Sequence, residues 1–173
     1  VLDPYFSATK LRWLLQQDAS LRARAASGRL AFGTIDSFLI ARLTGGRVHA
    51  TDATNASRTL LLNIRTGAWD DELCRYFDVP AALLPEVRPS ASDFGATHGL
   101  DFLPDGLPIL GAAGDQQAAL FGQCCFAAGE AKCTYGTGAF FLQHTGSSLR
   151  LSRHRLLTTL AAGGDGPRQY ALE

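Results

Sequence analysis

The sequence contains 173 residues, 46% of them hydrophobic and 18% charged, and its 16 basic side chains balance its 16 acidic ones. This composition fits one folded domain of ordinary size, or parts of two, and excludes a disordered tail. The zero net charge argues against a nucleic-acid-binding protein, and no apolar run approaches the roughly 20 residues of a membrane-spanning helix.

The first part of the chain is predicted to be helical. Ser7 is predicted to cap a first helix, because the apolar residues after it follow an i, i+3, i+4 spacing. These residues are Leu11, Leu14 and Leu15. A second helix is predicted over residues 34–43, ending at Gly45-Gly46. The apolar residues expected on its buried face are Ile35, Phe38, Leu39 and Leu43.

Asp70 is predicted to cap a third helix, and Pro80 and Pro85 bracket a short helical turn. The inward residues expected of the third helix are Leu73, Tyr76 and Phe77. Prolines and glycines over residues 85–108 predict mostly loop with short strands.

The remaining elements are predicted to be mainly strands. Residues 107–113 (LPILGAA) form a short apolar run that is typical of a buried strand, and a helix is predicted from Asp115 to about Gln123. Strands are then predicted over residues 131–135, 139–145, 156–162 and 168–172. The strand predicted over residues 168–172 looks broken off in the middle. The chain begins with Val1, in a segment that resembles no signal or transit peptide. We therefore expect an interior piece of a longer protein.

The sharpest local feature is Asp115, which follows a predicted strand and the GAAG turn at residues 111–114. Ligands of open α/β sheets collect at the carboxyl ends of strands, where a carboxylate could accept a proton from a substrate hydroxyl. Asp is also among the most favourable N-cap residues. The residues alone therefore leave two interpretations of Asp115, a helix cap and a catalytic base.

Gly136, Thr137 and Gly138 form a glycine turn between two predicted strands. Small residues let backbone N–H groups approach an anion such as phosphate, and a threonine hydroxyl adds a donor. Turns of this kind also occur without any ligand. The sequence contains neither a Walker A loop nor a Rossmann fingerprint, so a nucleotide would have to bind in another way.

The cysteines and histidines show no metal-binding pattern. No C-x-x-C pair is present, and no histidine lies at zinc-finger spacing from a cysteine. We expect reduced, mostly buried thiols in a cytoplasmic protein, structural roles for the four scattered histidines, and no metal site within the chain. The cysteines are Cys74, Cys124, Cys125 and Cys133.

Several segments together resemble the FGGY carbohydrate kinase family, and the resemblance covers nearly the whole chain. They include DPYFSATKLRWLL at 3–15, FGTIDSFLIARLTGG at 32–46, HATDATNASRTLLLNI at 49–64, GAAGDQQAALFGQ at 111–123 and KCTYGTGAFFL at 132–142. The runs DPYFSATK and TDATNASRT resemble the members that act on glycerol more than the xylulose or gluconate kinases.

The resemblance implies an α/β protein with the actin-like ATPase (ribonuclease H-like) fold, in which two domains close over a cleft. It implies that the fold is incomplete in this chain. Residues 1–123 would be the late part of the first domain, and residues 124–173 would be the first strands of the second. The magnesium-binding acid of the family would lie outside the chain.

The activity implied by the resemblance is ATP-dependent phosphorylation of glycerol to glycerol 3-phosphate, with ATP and Mg²⁺ as cofactors. Asp115 would be the general base, and Gln116 would lie beside it at the substrate. Tyr5 and Phe140 would line the glycerol pocket. The residues that would approach the phosphates of ATP are Gly136, Thr137 and Gly138.

Two other interpretations stay open, a kinase for another polyol or ketose of the family and a non-catalytic stand-alone module. We expect this piece to be inactive alone. The resemblance allows a homo-oligomer for the full-length protein, and it implies neither a nucleic-acid partner nor a membrane span. Arg155 departs from the family, which usually has glycine at that position of its HGLLTT run.

Overall fold

The computed structural model describes residues 5–173, so Asp3 and Pro4 of the DPYFSATK run lie outside the described residues. The helices are α1 (Ser7–Gln17), α2 (Ala19–Ala26), α3 (Ile35–Leu43), α4 (Ala53–Ala56), α5 (Asp71–Tyr76) and α6 (Asp115–Gly122), with a 3₁₀ turn at Ala81–Leu83. The strands are β1 (Ala50–Asp52), β2 (Leu62–Asn63), β3 (Ala68–Trp69), β4 (Glu86–Arg88), β5 (Ala131–Tyr135), β6 (Ala139–Gly146), β7 (Thr158–Leu160) and β8 (Tyr170–Leu172).

The first helix is present, but the prediction that Ser7 caps it is wrong. The N-cap is Phe6, whose backbone is extended and whose side chain is buried. The backbone N–H of Ala8 donates to the Thr59 carbonyl at 2.9 Å. A contact with a distant segment therefore satisfies a free N–H of the first turn, where a side-chain cap would otherwise be needed.

Helix α3 has the predicted length, and Gly45 and Gly46 end it with φ angles of +62° and +79°. Its orientation differs from the prediction, because the apolar residues Ile35, Phe38 and Leu39 are exposed. Leu43 is partly buried, and Ile40, which was not expected there, is buried. The inward face carries Asp36, whose carboxylate accepts hydrogen bonds from the Thr51 hydroxyl at 2.7 Å and the Asp52 N–H at 3.1 Å. These hydrogen bonds to β1 orient the side of α3 that carries Asp36 toward the protein interior.

Helix α5 confirms the prediction that Asp70 caps it. The Asp70 carboxylate accepts hydrogen bonds from the N–H groups of Glu72 and Leu73 at 2.9 and 3.0 Å. Phe77 is buried, whereas Tyr76 is exposed, contrary to its expected inward position. A core forms around this helix and α1. Its buried residues are Ala8, Leu15, Ala25, Leu61, Cys74, Phe77, Val79 and Leu83.

Residues 107–113 do not form the buried strand that was predicted. They run antiparallel to residues 90–97, with isolated bridges only at Ala96–Pro108 and Ala91–Gly111. Pro108 lacks an N–H, and Leu107 and Leu110 are exposed. An extended segment paired on one side and interrupted by proline cannot continue a ladder.

The second part of the chain is an antiparallel sheet of order β5-β6-β8-β7. The strands predicted over residues 131–135 and 139–145 are confirmed, and the last two are shorter than predicted. Helix α6 packs on this sheet through a small core, so the start of α6 is held over β5 and β6. The buried residues of that core are Leu120, Cys125, Leu142 and Ala171.

All four cysteines are free thiols, as predicted. Two of them, Cys124 and Cys133, are exposed, so the expectation of mostly buried thiols holds only for Cys74 and Cys125. Within residues 5–173, no helix has both the length and the apolar character that a bilayer crossing requires.

Candidate active site

Asp115 is the first residue of α6, and Gly114 is the N-cap. The interpretation of Asp115 as the helix cap is therefore wrong, since its carboxylate is one position too late for that role. The side chain is exposed, and its Oδ2 atom accepts a hydrogen bond from Gln116 Nε2 at 3.0 Å. A carboxylate at the first turn of a helix that does not cap it is available to a ligand.

The backbone before Asp115 is held by a segment 60 residues earlier in the chain. The Gly114 N–H donates to the Thr54 hydroxyl at 2.8 Å, and that hydroxyl donates to Asp52 Oδ2 at 2.8 Å. Asp52 is fully buried, and the Ser90 hydroxyl also donates to it, at 2.7 Å. This chain of hydrogen bonds fixes the position from which α6 begins.

Gly114 has little room for a side chain. A Cβ atom there would lie 2.5 Å from Gln117 Oε1, so the end of the Gln117 side chain would have to shift. Gln117 is buried, and its Nε2 donates to the Thr159 hydroxyl at 3.1 Å. A larger residue before the carboxylate would therefore disturb this hydrogen bond.

Lys132 lies on β5 next to this helix start and is 7% exposed. Its ammonium donates to Gln116 Oε1, to the Thr134 hydroxyl at 2.8 Å and to the Phe140 carbonyl at 3.4 Å. Burial lowers the pKa of Lys132, while the negative charge of Asp115 acts in the opposite direction. A lysine is rarely buried without such partners.

Three of the four predicted substrate-binding residues therefore share one neighbour. Asp115 attracts the Lys132 ammonium, Gln116 accepts from it, and Phe140 offers it a backbone carbonyl. The Phe140 ring is about half exposed beside them. Lys132 was not predicted as a site residue, because a lysine in an alternating strand ordinarily points to solvent.

Tyr5, the fourth predicted substrate-binding residue, is connected to this group through Arg58. The Arg58 guanidinium lies 5.3 Å from the centre of the Tyr5 ring and forms an ion pair with Glu173. Burial raises the pKa of Glu173, and the charges of Arg58 and Lys132 oppose that rise. Arg58 and Glu173 were not predicted, although Arg58 lies in the TDATNASRT run.

The glycine turn joins β5 to β6, and the Gly136 N–H donates to the Gly138 carbonyl at 2.9 Å. Thr137 is exposed at its tip. A Cβ atom on Gly136 would meet nothing within 4 Å, and no positive φ requires glycine there. The turn is thus open to solvent. Its geometry is compatible both with a contact to phosphate and with a turn that binds no ligand.

A separate cavity of about 660 Å³ lies between β4, β7 and residues 163–169 and contains none of the predicted site residues. Its two arginines are already paired, Arg88 with Glu86 and Arg168 with the Thr66 carbonyl. Among the described residues, no group of three or more His, Cys, Asp or Glu side chains could hold a metal ion.

Comparisons with known proteins agree with this architecture. The family model described as "FGGY family of carbohydrate kinases, N-terminal domain" matches residues 1–122. The chain is 60% identical to a glycerol kinase of Methylobacterium nodulans and 62% identical to one of Rhodospirillum centenum, each over 173 residues. Each match covers 100% of this chain and 34% of the relative, so the chain spans about a third of their length.

Among solved structures, Plasmodium falciparum glycerol kinase with ADP is similar with a TM-score of 0.92 and 41% identity, over 98% of this chain and 34% of that one. A xylulose kinase from Rhodospirillum rubrum is similar in fold, with a TM-score of 0.77 and 21% identity over 96% of this chain and 33% of that one. The expected fold class, α/β with the actin-like ATPase fold in incomplete form, is confirmed by these likenesses.

Proposed function

This chain belongs to the FGGY family of carbohydrate kinases, and from that premise we propose that the protein transfers a phosphoryl group from ATP to glycerol and forms glycerol 3-phosphate. The observation that carries the proposal is the exposed Asp115 carboxylate at the start of α6, which does not cap its helix. The identity of 60% to a protein named glycerol kinase supports the choice of glycerol as the acceptor.

Asp115 would act as the general base. Its carboxylate accepts the proton of a glycerol hydroxyl while the oxygen of that hydroxyl forms a bond to the γ-phosphorus of ATP. The bond between that phosphorus and the bridging oxygen breaks, and ADP leaves. The carboxylate is suited to this step because, among the side chains of residues 5–173, Gln116 alone donates a hydrogen bond to it, which leaves lone pairs for the substrate.

The glycerol pocket would combine two aromatic rings with polar groups. Tyr5 and Phe140 supply exposed rings against which the carbon skeleton can pack, and Gln116 lies next to the base. A small triol needs both kinds of contact, because rings alone do not orient its hydroxyl groups. The resemblance to family members that act on glycerol supports these roles.

The turn of Gly136, Thr137 and Gly138 would contact the phosphates of ATP through its backbone N–H groups and the Thr137 hydroxyl. Magnesium, when bound, neutralises part of the phosphate charge. The resemblance to the family implies that the acid that binds this ion lies outside the chain.

The proposal also covers the domain organisation of the protein and its location in the cell. Residues 1–123 would form the late part of the first domain of the kinase, and residues 124–173 the beginning of the second. Four free thiols support a cytoplasmic location, where thiols stay reduced.

The test is a phosphorylation assay on the full-length protein with glycerol, erythritol and xylulose as acceptors. We expect kcat/KM to be highest for glycerol. Asp115→Asn should lower kcat about 10²–10⁴-fold and leave the fold intact, because a general base contributes on that scale. Higher activity on xylulose or erythritol would assign the protein to another acceptor, and no activity on any of them would favour the non-catalytic module.

A matched control is Asp71→Asn. Asp71 is also the first residue of its helix, directly after the capping Asp70, and it is exposed. The substitution removes the same charge at the same helix position, away from the candidate site. Asp71→Asn should keep wild-type kcat, and an equal loss in both variants would reject Asp115 as the base.

A further inference from the structure

Lys132 occupies a position where burying an apolar side chain would cost less free energy. It is 7% exposed, and its cross-strand neighbour is the buried Leu142. Removing an ammonium group from water costs free energy that a hydrophobic residue of similar volume would not lose. The three hydrogen bonds of its ammonium offset part of this cost and aim the group at the start of α6.

The ammonium determines which way the Gln116 amide points. An ammonium group only donates hydrogen bonds, so the atom of Gln116 that faces Lys132 has to be Oε1. The NH₂ end of the same amide is then directed at Asp115, where Nε2 donates to Oδ2 at 3.0 Å. Lys132, Gln116 and Asp115 thus form a directed series of hydrogen bonds.

We propose that Lys132 is a positioning residue for the base, acting through Gln116 to hold one oxygen of the Asp115 carboxylate and leave the other for the substrate hydroxyl. The inference rests on the proposed function.

The charged and titratable groups that face Lys132 come from three elements. Asp115 lies on α6, Cys133 is the next residue on β5, and Glu173 follows β8. Glu173 is already paired with Arg58, and Cys133 is exposed. Asp115 is therefore the carboxylate on which loss of the Lys132 charge should act most directly.

The experiment compares Lys132→Met with wild type in the full-length protein. Methionine has similar length but no charge and no donor. We expect kcat to fall about 100-fold, since misplacement of a reacting group by about 1 Å has an effect of that size. The loss should appear in kcat calculated per folded enzyme, with the KM for ATP at its wild-type value. A purely structural role would lower the amount of folded enzyme and leave kcat per folded enzyme unchanged.

A double-mutant cycle tests whether Lys132 acts through Gln116. In a Gln116→Ala background, Lys132→Met should cost less than tenfold in kcat, because the series of hydrogen bonds is already broken. Additive losses would reject the coupling. Lys132→Leu also lacks a charge and a donor, and it provides the same readouts if the methionine variant does not fold.

Wild-type kcat per folded enzyme in a Lys132 variant without a donor would overturn the inference and leave the proposed function standing. Absence of glycerol phosphorylation by the wild-type protein would overturn the proposed function itself. The two failures are therefore distinguished by the wild-type assay alone.

Discussion

The hydroxyl oxygen of Thr54 accepts a hydrogen bond of 2.8 Å from the backbone N–H of Gly114, the residue immediately before the proposed base. Thr54 belongs to the TDATNASRT run near β1, whereas Gly114 begins the segment that carries Asp115. Through this bond, one of two distant segments of the chain holds the backbone of the other.

Thr54→Val should disturb both stability and activity. Valine has the shape of threonine but cannot accept from Gly114 or donate to the buried Asp52. Leaving buried groups unpaired should lower the free energy of unfolding by about 1–3 kcal/mol. We also expect a loss of kcat of about tenfold as the start of α6 shifts. Chemical denaturation and steady-state kinetics measure the two effects.

Thr59→Val is the control for that variant. Thr59 is buried, and its hydroxyl donates to the Ala56 carbonyl at 2.7 Å. We expect a comparable loss of stability with kcat unchanged. Equal losses of kcat in both variants would contradict a specific role for the bond between Thr54 and Gly114.

Gly136→Ala tests the phosphate role of the turn. The added methyl group meets no protein atom within 4 Å, so the melting temperature should stay at its wild-type value. A phosphate that approaches the backbone of the turn would meet the methyl group, and the KM for ATP should then rise about tenfold, equivalent to about 1.4 kcal/mol. The KM for glycerol should not change.

Gly122→Ala is the matched control, since its methyl group also has nothing within 4 Å and Gly122 lies at the opposite end of α6 from Asp115. If the KM for ATP stays constant in the Gly136 variant, the turn does not approach the nucleotide.

Arg58→Met should destabilise the protein in a pH-dependent way. Burial raises the pKa of Glu173 above its ordinary value, so the fold prefers the protonated acid. The stability that Glu173 contributes is therefore fully present below its ordinary pKa and is lost as the pH rises through the raised one. Removing Arg58 takes away the partner of the ionised form, so the loss of stability should be about 2 kcal/mol near pH 7.5 and smaller near pH 5.

Thermal unfolding at both pH values checks this expectation. Adding Glu173→Gln to the Arg58 variant should remove the pH dependence, because no buried carboxylate then needs a partner. A loss that is equal at the two pH values would assign the effect of Arg58 to its contacts with the aromatic rings of Tyr5 and Phe6.

Arg155→Gly should stabilise the protein. Arg155 has a φ of +66°, a conformation that residues with a Cβ adopt at a cost of roughly 1–2 kcal/mol. The positive φ therefore provides a reason for the glycine that the family usually has at this position. We expect the free energy of unfolding to rise by about 1 kcal/mol. Arg155→Ala keeps the Cβ and should show no gain, and a gain in the alanine variant would point to the side chain instead.

Predictions from the sequence were accurate where local chemistry decides the structure. Asp70 has the side chain that caps α5, and the alternating residues on both sides of the glycine turn form the hairpin of β5 and β6. These features depend on neighbours within a few residues.

The predictions failed where distant contacts decide. The apolar pattern of α3 suggested the wrong buried face, because the hydrogen bonds of Asp36 to β1 orient the helix and cannot be inferred from periodicity. The burial of Lys132 depends on the packing of α6 over β5, which no local pattern contains. Asp115 was recognisable from the sequence as a candidate base, but the residues that hold it in place were not.

The position of β8 has a consequence for the folding of the sheet. β8 is the last strand described, yet it lies between β6 and β7, and within residues 5–173 it is the strand with which β7 pairs. Until β8 is in place, β6 and β7 each present an unpaired edge to other strands. The core that holds α6 also lacks Ala171 until then. Insertion of β8 therefore pairs both edges and completes the support of α6 in the same step.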